Sequence, residues 1–398
     1  MKPKVFVTGM GAVSAIGTNV AEHLHALRMG KSGIGKAKYF VSKYTESLLF
    51  GEVPFTNEEL KIRNGVEEKV DFSRTTLLAI QAFREAVQDA DLSAEQISNS
   101  RTGFISSSTV GGMCNTDELY SDANLSGEPS HYLRSYESSD HTLRILKLFQ
   151  MKGLSDTINT ACSSSANAIY LGARLIQSGR ADRVIVGGTD SLAKYTVNGF
   201  NSLMILSDEA CQPFDVNRKG LNLGEGAAYL VLESEAICKG KKRYAEVTGF
   251  GNSNDAFHPS ATSEDARGPK LAIQRALKEA KLKPEDIDYI NAHGTGTLNN
   301  DTTETHAFSQ LFAEVPPYNS TKSYTGHTLA ASGGLEAVFS ILSLVNNELY
   351  PSLRCDNPIQ EYASKPIAEF SKKKIRNVLS NSFGFGGNCT SLIFSACI

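Results

Sequence analysis

An excess of charge of one sign is missing from this chain: 40 Lys and Arg against 43 Asp and Glu leave a formal net charge of −3. With no basic run, there is no electrostatic case for nucleic acid as a partner. Long apolar runs are missing too, none approaching the roughly 18–20 residues of a membrane span. Lys2 and Lys4 before Val5-Phe6-Val7 imitate the start of a signal peptide, but Gly9, Gly11 and Ser14 interrupt it before an apolar h-region can form. The seven cysteines are odd in number and scattered without CxxC spacing. That argues against a disulfide framework or a zinc site and makes a reducing cytoplasm the expected compartment. What remains is an ordinary globular composition, 41% hydrophobic and 21% charged over 398 residues, enough for two domains or one large duplicated unit.

Duplication is the better description. Val5-Phe6-Val7-Thr8-Gly9-Met10-Gly11 reads as a buried strand entering a glycine turn, and the pattern returns at Ala245-Glu246-Val247-Thr248-Gly249-Phe250-Gly251. An amphipathic helix follows the first copy from Leu78 onward, ending near Leu92 to Ile97; its counterpart begins at Leu271 and closes at Leu282 to Ile287. A strand comes next each time, at Thr102 to Ser106 and at Asp288 to Asn291. Two ordered matches with a shared element order outweigh chance. Polar insertions at roughly 12–76 and 113–141 interrupt the first half, and loops that long tend to be functional or to make interfaces. The predicted fold class is α/β, each half a sheet covered by helices. The boundary falls in the Lys-rich link Lys239 to Arg243, dividing the chain into 1–240 and 241–398.

Four stretches combine small residues with reactive groups. In Ile158-Asn159-Thr160-Ala161-Cys162-Ser163-Ser164-Ser165, a strand-like approach meets a helical spacing of Ile169, Ala173 and Ile176. Cys162 at a helix start is expected to have its thiolate favoured by the first N–H groups, although most free cysteines are simply small buried hydrophobes. Asn291-Ala292-His293-Gly294-Thr295-Gly296-Thr297 holds a histidine between a strand end and a glycine loop. That histidine reads equally as one satisfied by neighbouring backbone. Lys322-Ser323-Tyr324-Thr325-Gly326-His327 leads into a helix over Leu329 to Val345, its lysine alone among uncharged neighbours. Ser380-Asn381-Ser382-Phe383-Gly384-Phe385-Gly386-Gly387-Asn388 is either a plain hairpin turn or a mobile loop allowing close backbone approach to a ligand. Sites in α/β sheets collect outside the carboxyl ends of strands, so pseudo-symmetric packing is expected to gather all four stretches at one crevice. One cysteine with two histidines then suggests covalent acyl transfer with a second, charged intermediate to stabilise.

These stretches, with Pro213-Phe214-Asp215 and Leu223-Gly224-Glu225-Gly226-Ala227, resemble the elongating β-ketoacyl-[acyl carrier protein] synthases, type I/II condensing enzymes of the thiolase superfamily. The resemblance covers essentially the whole chain. It implies a duplicated five-layer αβαβα fold, usually dimeric, and a decarboxylative condensation of malonyl-carrier protein with an acyl group held on Cys162. His293 and His327 would stabilise the enolate. Lys322 would orient the site, paired with Glu304, and Asp301 would support it. The backbone N–H groups of Cys162 and Phe385 would form the oxyanion hole. Thr295, Thr297 and Phe383 would meet the substrate, with Phe385 as a gate. Asn291, Glu336 and Ser380 match positions around a monovalent cation in some members. No cofactor is implied beyond the phosphopantetheine arm that acyl carrier protein delivers, and the dimer is either a homodimer or a heterodimer with a chain-length partner.

Departures from the family pattern are visible. Leu298 stands where proline is usual, and Asn388-Cys389-Thr390 replaces a Thr-Asn pair after the glycines. The region between Ser106 and Asn159 is short and polar, and Gly188 to Asp190 with Asn198 to Leu203 is closer to synthases of aryl polyene or flexirubin-type pigment clusters. Two rivals stay open: a thiolase acting on coenzyme A esters, for which Cys389 is the place to look for a second cysteine, and a chain-length-factor-like partner subunit, which would lack the nucleophile.

Overall fold

A computed structural model describes residues 2–66, 72–127, 130–361 and 365–397; residues 67–71 and 128–129, inside the two insertions, lie outside the described residues. The two Val-Thr-Gly-x-Gly copies open equivalent units. The first half runs β1 (Val5–Ser14), α1 (Arg74–Asp89), β2 (Thr102–Ser107), β3 (Ser155–Ile158), α2 (Ser164–Gln177), β4 (Arg183–Asp190) and β5 (Gly226–Ser234). The second runs β6 (Ala245–Asn254), α3 (Arg267–Ala280), β7 (Tyr289–Asn291), α4 (Leu298–Leu311), β8 (Tyr318–Asn319), α5 (Ser332–Asn346), β9 (Asn377–Phe383) and β10 (Asn388–Ser395).

Strand order repeats as faithfully as sequence order. The sheet reads β8-β7-β9-β10-β6-β1-β5-β4-β2-β3, two five-stranded copies joined where Phe6 pairs with Glu246 and Val7 with Ala245. In each copy the first strand is antiparallel to the fifth, the fifth to the fourth, and the remaining pairs are parallel. Helices α2 and α5 pack on each other and touch strands of both copies, while α1 covers the first sheet outside and α3 the second. The layers are therefore αβαβα.

The duplicated glycines have one physical cause. A Cβ on Gly9 or Gly11 would stand 2.4 or 2.0 Å from the carbonyl oxygens of Ala86 or Ala82 on α1. On Gly249 or Gly251 it would stand 2.4 or 2.1 Å from those of Ala276 or Ala272 on α3. Each first strand lies against its outer helix at backbone distance, and only glycine permits that. The outer helices answer with alanine at the same contacts.

Two expectations change. The polar insertions are not bare loops: the first folds helices at Val20–Arg28 and Asn57–Asn64, and the second folds one at Thr116–Ser126 and ends where the helix Asp140–Leu148 begins. One stretch does reach the length and hydropathy of a membrane span, Leu329–Asn346, 18 residues at mean hydropathy 1.4, yet 89% of it is buried inside the protein. Its small residues fit it to the interior: Gly333 and Gly334 sit where a Cβ would press on Ala166, at 2.9 Å, and Ala228, at 3.2–3.3 Å, so this is the central helix between two sheets.

Candidate active site

All four reactive stretches leave the carboxyl ends of strands: Cys162 follows β3, His293 follows β7, Lys322 follows β8 and Phe385 follows β9. Parallel neighbours point those ends the same way, so the duplicated sheet delivers them to one side of the molecule. A cavity of about 270 Å³ there is lined by Cys162, His293, Thr295, Thr297, His327, Phe383, Gly384 and Phe385, among others. Lys322 does not line it but stands behind His293.

Cys162 precedes α2 by two residues and is 5% exposed; His293 and His327 are each 2% exposed. His327 Nε2 lies 3.0 Å from Cys162 Sγ, and the rings of His293 and His327 are edge to face with centroids 5.5 Å apart. Behind His327, the Leu329 N–H donates to Nδ1 at 3.3 Å and Ser332 Oγ lies 2.9 Å away. Behind His293, Lys322 Nζ donates to Nδ1 at 3.2 Å and to the His293 carbonyl at 2.7 Å. A nitrogen that accepts carries no proton, so these donors assign the proton to Nε2 in both rings. Burial, with Lys322 adding to it, holds both imidazoles well below their usual titration range, so both are neutral N–H donors.

That assignment decides a question of metal binding. The ligand atoms of Cys162, His293 and His327 lie within 4.8 Å of one another, a set that could hold a metal ion. Coordination through Nε2 would require each proton to move onto an Nδ1 that already faces an N–H or an ammonium. The donor set fits hydrogen-bond donation to an oxyanion and does not fit a divalent metal.

The thiol reverses one expectation. Burial pushes the Cys162 thiol up to about 11, and the Lys322 charge and the backbone N–H groups of Phe385 and Cys162 offset only part of this. The helix start is real, but desolvation outweighs it. Those two N–H groups come from different halves of the chain and converge on the sulfur.

Lys322 supplies the second correction. It does not pair with Glu304; its ammonium bonds Glu336 of α5, and both side chains are 2–3% exposed. Glu304 instead accepts the N–H groups of His293 at 2.9 Å and Gly294 at 2.8 Å, with burial pushing its carboxyl up to about 7. Asp301, one turn earlier on α4, accepts from Gly296 at 3.2 Å and from Phe214 at 2.7 Å. Two acids on one helix face thus shape the histidine loop, and Thr295 and Thr297 hydrogen-bond each other at 2.8 Å on its cavity side. Of the cation positions, Asn291 and Ser380 are paired on neighbouring strands, while Glu336 is engaged by Lys322 and, at 3.4 Å, Ser382. The Asn291 carboxamide is buried without a hydrogen-bond partner of normal geometry.

Sequence reasoning missed three contributors. Phe200 stacks on Phe385 with centroids 5.6 Å apart at 18°, Ser332 backs His327, and His258 lines the cavity from beyond β6. Phe200 and His258 carry no local signal, since each reaches the site from a distant element; Ser332 stands five residues beyond His327, in a run of small residues that marks no one of them as its partner. Cys389 takes the opposite course: it is buried against Ala272 and Phe383 and does not line the cavity.

The chain matches the family described as beta-ketoacyl synthase, N-terminal domain, over residues 2–236, and its C-terminal domain over residues 244–356. It belongs to the β-ketoacyl synthase family. The 3-oxoacyl-[acyl-carrier-protein] synthase 2 of Staphylococcus aureus (strain COL) is 34% identical over 98% of both chains. Among solved structures, the ishigamide ketosynthase/chain length factor superposes at TM-score 0.93 with 29% identity over 100% of both chains. A ketosynthase (ApeO) in complex with its chain length factor (ApeC) from Xenorhabdus doucetiae superposes at 0.86 with 31% identity, covering 99% of this chain and 98% of that one.

Proposed function

We propose that this chain is a β-ketoacyl-[acyl carrier protein] synthase, condensing malonyl-carrier protein with an acyl group held on Cys162. The observation that carries it is the buried contact between Cys162 Sγ and His327 Nε2 at 3.0 Å, with His293 edge-on beside it. In the first step Sγ attacks the thioester carbon of an acyl-carrier protein, and the pantetheine sulfur departs with the thiol proton. The oxyanion is met by the N–H groups of Cys162 and Phe385. In the second step the malonyl C–C bond breaks, CO2 leaves, and the electrons pass to the thioester oxygen as an enolate. His293 and His327, neutral donors at Nε2, stabilise that charge as it forms. The enolate carbon attacks the acyl-cysteine carbon, the C–S bond breaks, and Cys162 leaves as a thiolate that takes a proton from water. Lys322 holds His293 as a donor and is itself neutralised by Glu336. Thr295 and Thr297 meet the pantetheine arm, and Phe385 gates the acyl pocket. Asn291 and Ser380, paired on neighbouring strands, and Glu336, already engaged by Lys322, are the residues that would hold a monovalent cation. Residues 1–240 supply the nucleophile and 241–398 the histidines.

The partners that this reading requires are acyl carrier protein and a second subunit, either another copy or a chain-length partner of the kind named with the ApeO ketosynthase. Labelled CO2 released from malonyl-carrier protein tests it, and absence of release would leave the thiolase reading, which the position of Cys389 away from the cavity disfavours. The finer proposal is a pigment-cluster substrate: polyene or aryl acyl-carrier proteins load Cys162 faster than saturated ones, and equal loading would refute it.

A further inference from the structure

A single carboxamide ties the turn carrying Phe385 to the turn carrying Cys162. Asn388 Oδ1 accepts from Ser163 Oγ at 2.8 Å, Asn167 Nδ2 at 2.9 Å and Asn252 Nδ2 at 2.9 Å, with Thr390 Oγ1 at 3.3 Å. The network closes on itself. Thr160 Oγ1, at the start of the nucleophile turn, accepts from Asn167 at 2.8 Å and lies 3.1 Å from Ser163 Oγ. Asn167 Oδ1 accepts from Asn252 at 3.0 Å and Thr390 at 2.9 Å. Thr160, Ser163 and Asn167 belong to the first half of the chain; Asn252, Asn388 and Thr390 belong to the second. None of the six lines the cavity, whose wall reaches Cys162 on one side and Gly387 on the other.

The joint matters because the oxyanion hole is divided between the halves. One N–H is that of Cys162 and the other that of Phe385, so neither half alone fixes their spacing. The Phe385 turn is seated by the Gly384 N–H bond to the Asn388 carbonyl at 2.8 Å and by the Gly387 N–H bond to Gly384 at 3.1 Å. It lies directly on the nucleophile turn: a Cβ on Gly384 would come within 2.8 Å of the Thr160 oxygen and 3.1 Å of the Cys162 nitrogen. Electrostatic stabilisation is strong only when donors are fixed before charge develops, so a hole shared by two halves needs a brace across them. The histidine donors have their own supports in Leu329, Lys322 and Glu304 and share none of this network.

We infer that Asn388 is a positioning residue for the oxyanion hole: its side-chain oxygen gathers donors from both halves and sets the Phe385 N–H against Cys162. It serves acyl transfer to the cysteine more than decarboxylation at the histidines. Threonine, which the family resemblance leads one to expect at this position, has a shorter side chain and reaches fewer of these donors. Asn388 is therefore a departure from that pattern with a structural consequence.

The inference rests on the condensing-enzyme reading, and the test separates the two. Loading of Cys162 from acyl-carrier protein is followed by intact mass, and CO2 release by one turnover of fully loaded enzyme with labelled malonyl-carrier protein. Asn388→Leu is expected to slow loading about tenfold relative to CO2 release, short of the roughly 100-fold loss that follows outright removal of an oxyanion-hole donor. Asn388→Thr is expected to slow it less, and Asn252→Leu, which removes one donor from across the joint, to act in the same direction. If Asn388→Leu does not fold, the other two variants carry the test. Equal slowing of both steps in every folded variant, or none, overturns the inference while leaving the enzyme's function intact. Wild-type protein that neither loads nor releases CO2 overturns the functional reading itself.

Discussion

The two halves of this chain share a strand order, a pair of glycines and a pair of outer helices, but they place different chemistry at equivalent strand ends. After β3 the first half offers Cys162 at the start of α2; after β8 the second offers Lys322 and His327 ahead of α5. These are corresponding positions in the repeat, and α2 and α5 pack together as the central layer. A thiol and a histidine from equivalent turns therefore meet at 3.0 Å. Duplication built the scaffold twice, and divergence at the strand ends gave one copy the nucleophile and the other the donors. The difference teaches that stability is expected to be symmetric between the halves and chemistry is not.

The largest effect should come from the asymmetric part. Cys162→Ala is expected to abolish the acyl-enzyme seen by intact mass and to lower condensation at least about 1000-fold; an adduct that persists would place the nucleophile elsewhere. His327→Ala and His293→Ala are each expected to lower CO2 release roughly 100- to 1000-fold, the scale of a lost donor to developing charge. Substantial release from either variant in single-turnover assays would break the division of labour between halves. Lys322→Met leaves Glu336 buried and unpaired, so denaturant titration should show a loss of about 3–5 kcal/mol, much of it recovered in the Lys322→Met/Glu336→Leu double variant.

The symmetric part gives smaller effects. Gly11→Ala and Gly251→Ala should each cost about 1–3 kcal/mol by forcing a strand away from its helix, and a clear inequality between them would weaken the equivalence of the halves. The smallest expected effect is that of pH. Both imidazoles are already neutral well below 6.5, so neither should lower CO2 release from loaded enzyme as pH falls from about 8 to about 6, and a fall in that window would report protonation of Glu304, whose carboxyl burial pushes up to about 7. Alkylation of Cys162 should behave differently, still rising with pH beyond about 9, because its thiol is held near 11 and the reactive thiolate remains the minor form.

The repeat was legible because backbone contact leaves a strict mark: only glycine fits where Gly9, Gly11, Gly249 and Gly251 meet a helix. Cys162, His293, Lys322 and His327 stood out for a related reason, being reactive groups among small residues just after strands. The partner of Lys322 was not legible. Glu304 and Glu336 are both acids in helices downstream of a histidine loop, and only the folded arrangement of α5 against the turn after β8 puts Glu336 within reach of the ammonium. The stacking of Phe200 on Phe385 was not legible either, because it joins residues far apart in sequence.

By itself the sequence determined the duplicated α/β architecture and the four turns that carry reactive groups, since periodicity and glycine placement are local consequences of backbone geometry. The tertiary structure alone decided protonation and pairing. A helix start favours a thiolate, but burial of Cys162 raises the thiol; a histidine can donate from either nitrogen, but Leu329 and Lys322 choose Nε2. Those outcomes depend on desolvation and on donors brought from distant elements, and neither quantity is written in any one stretch of the chain.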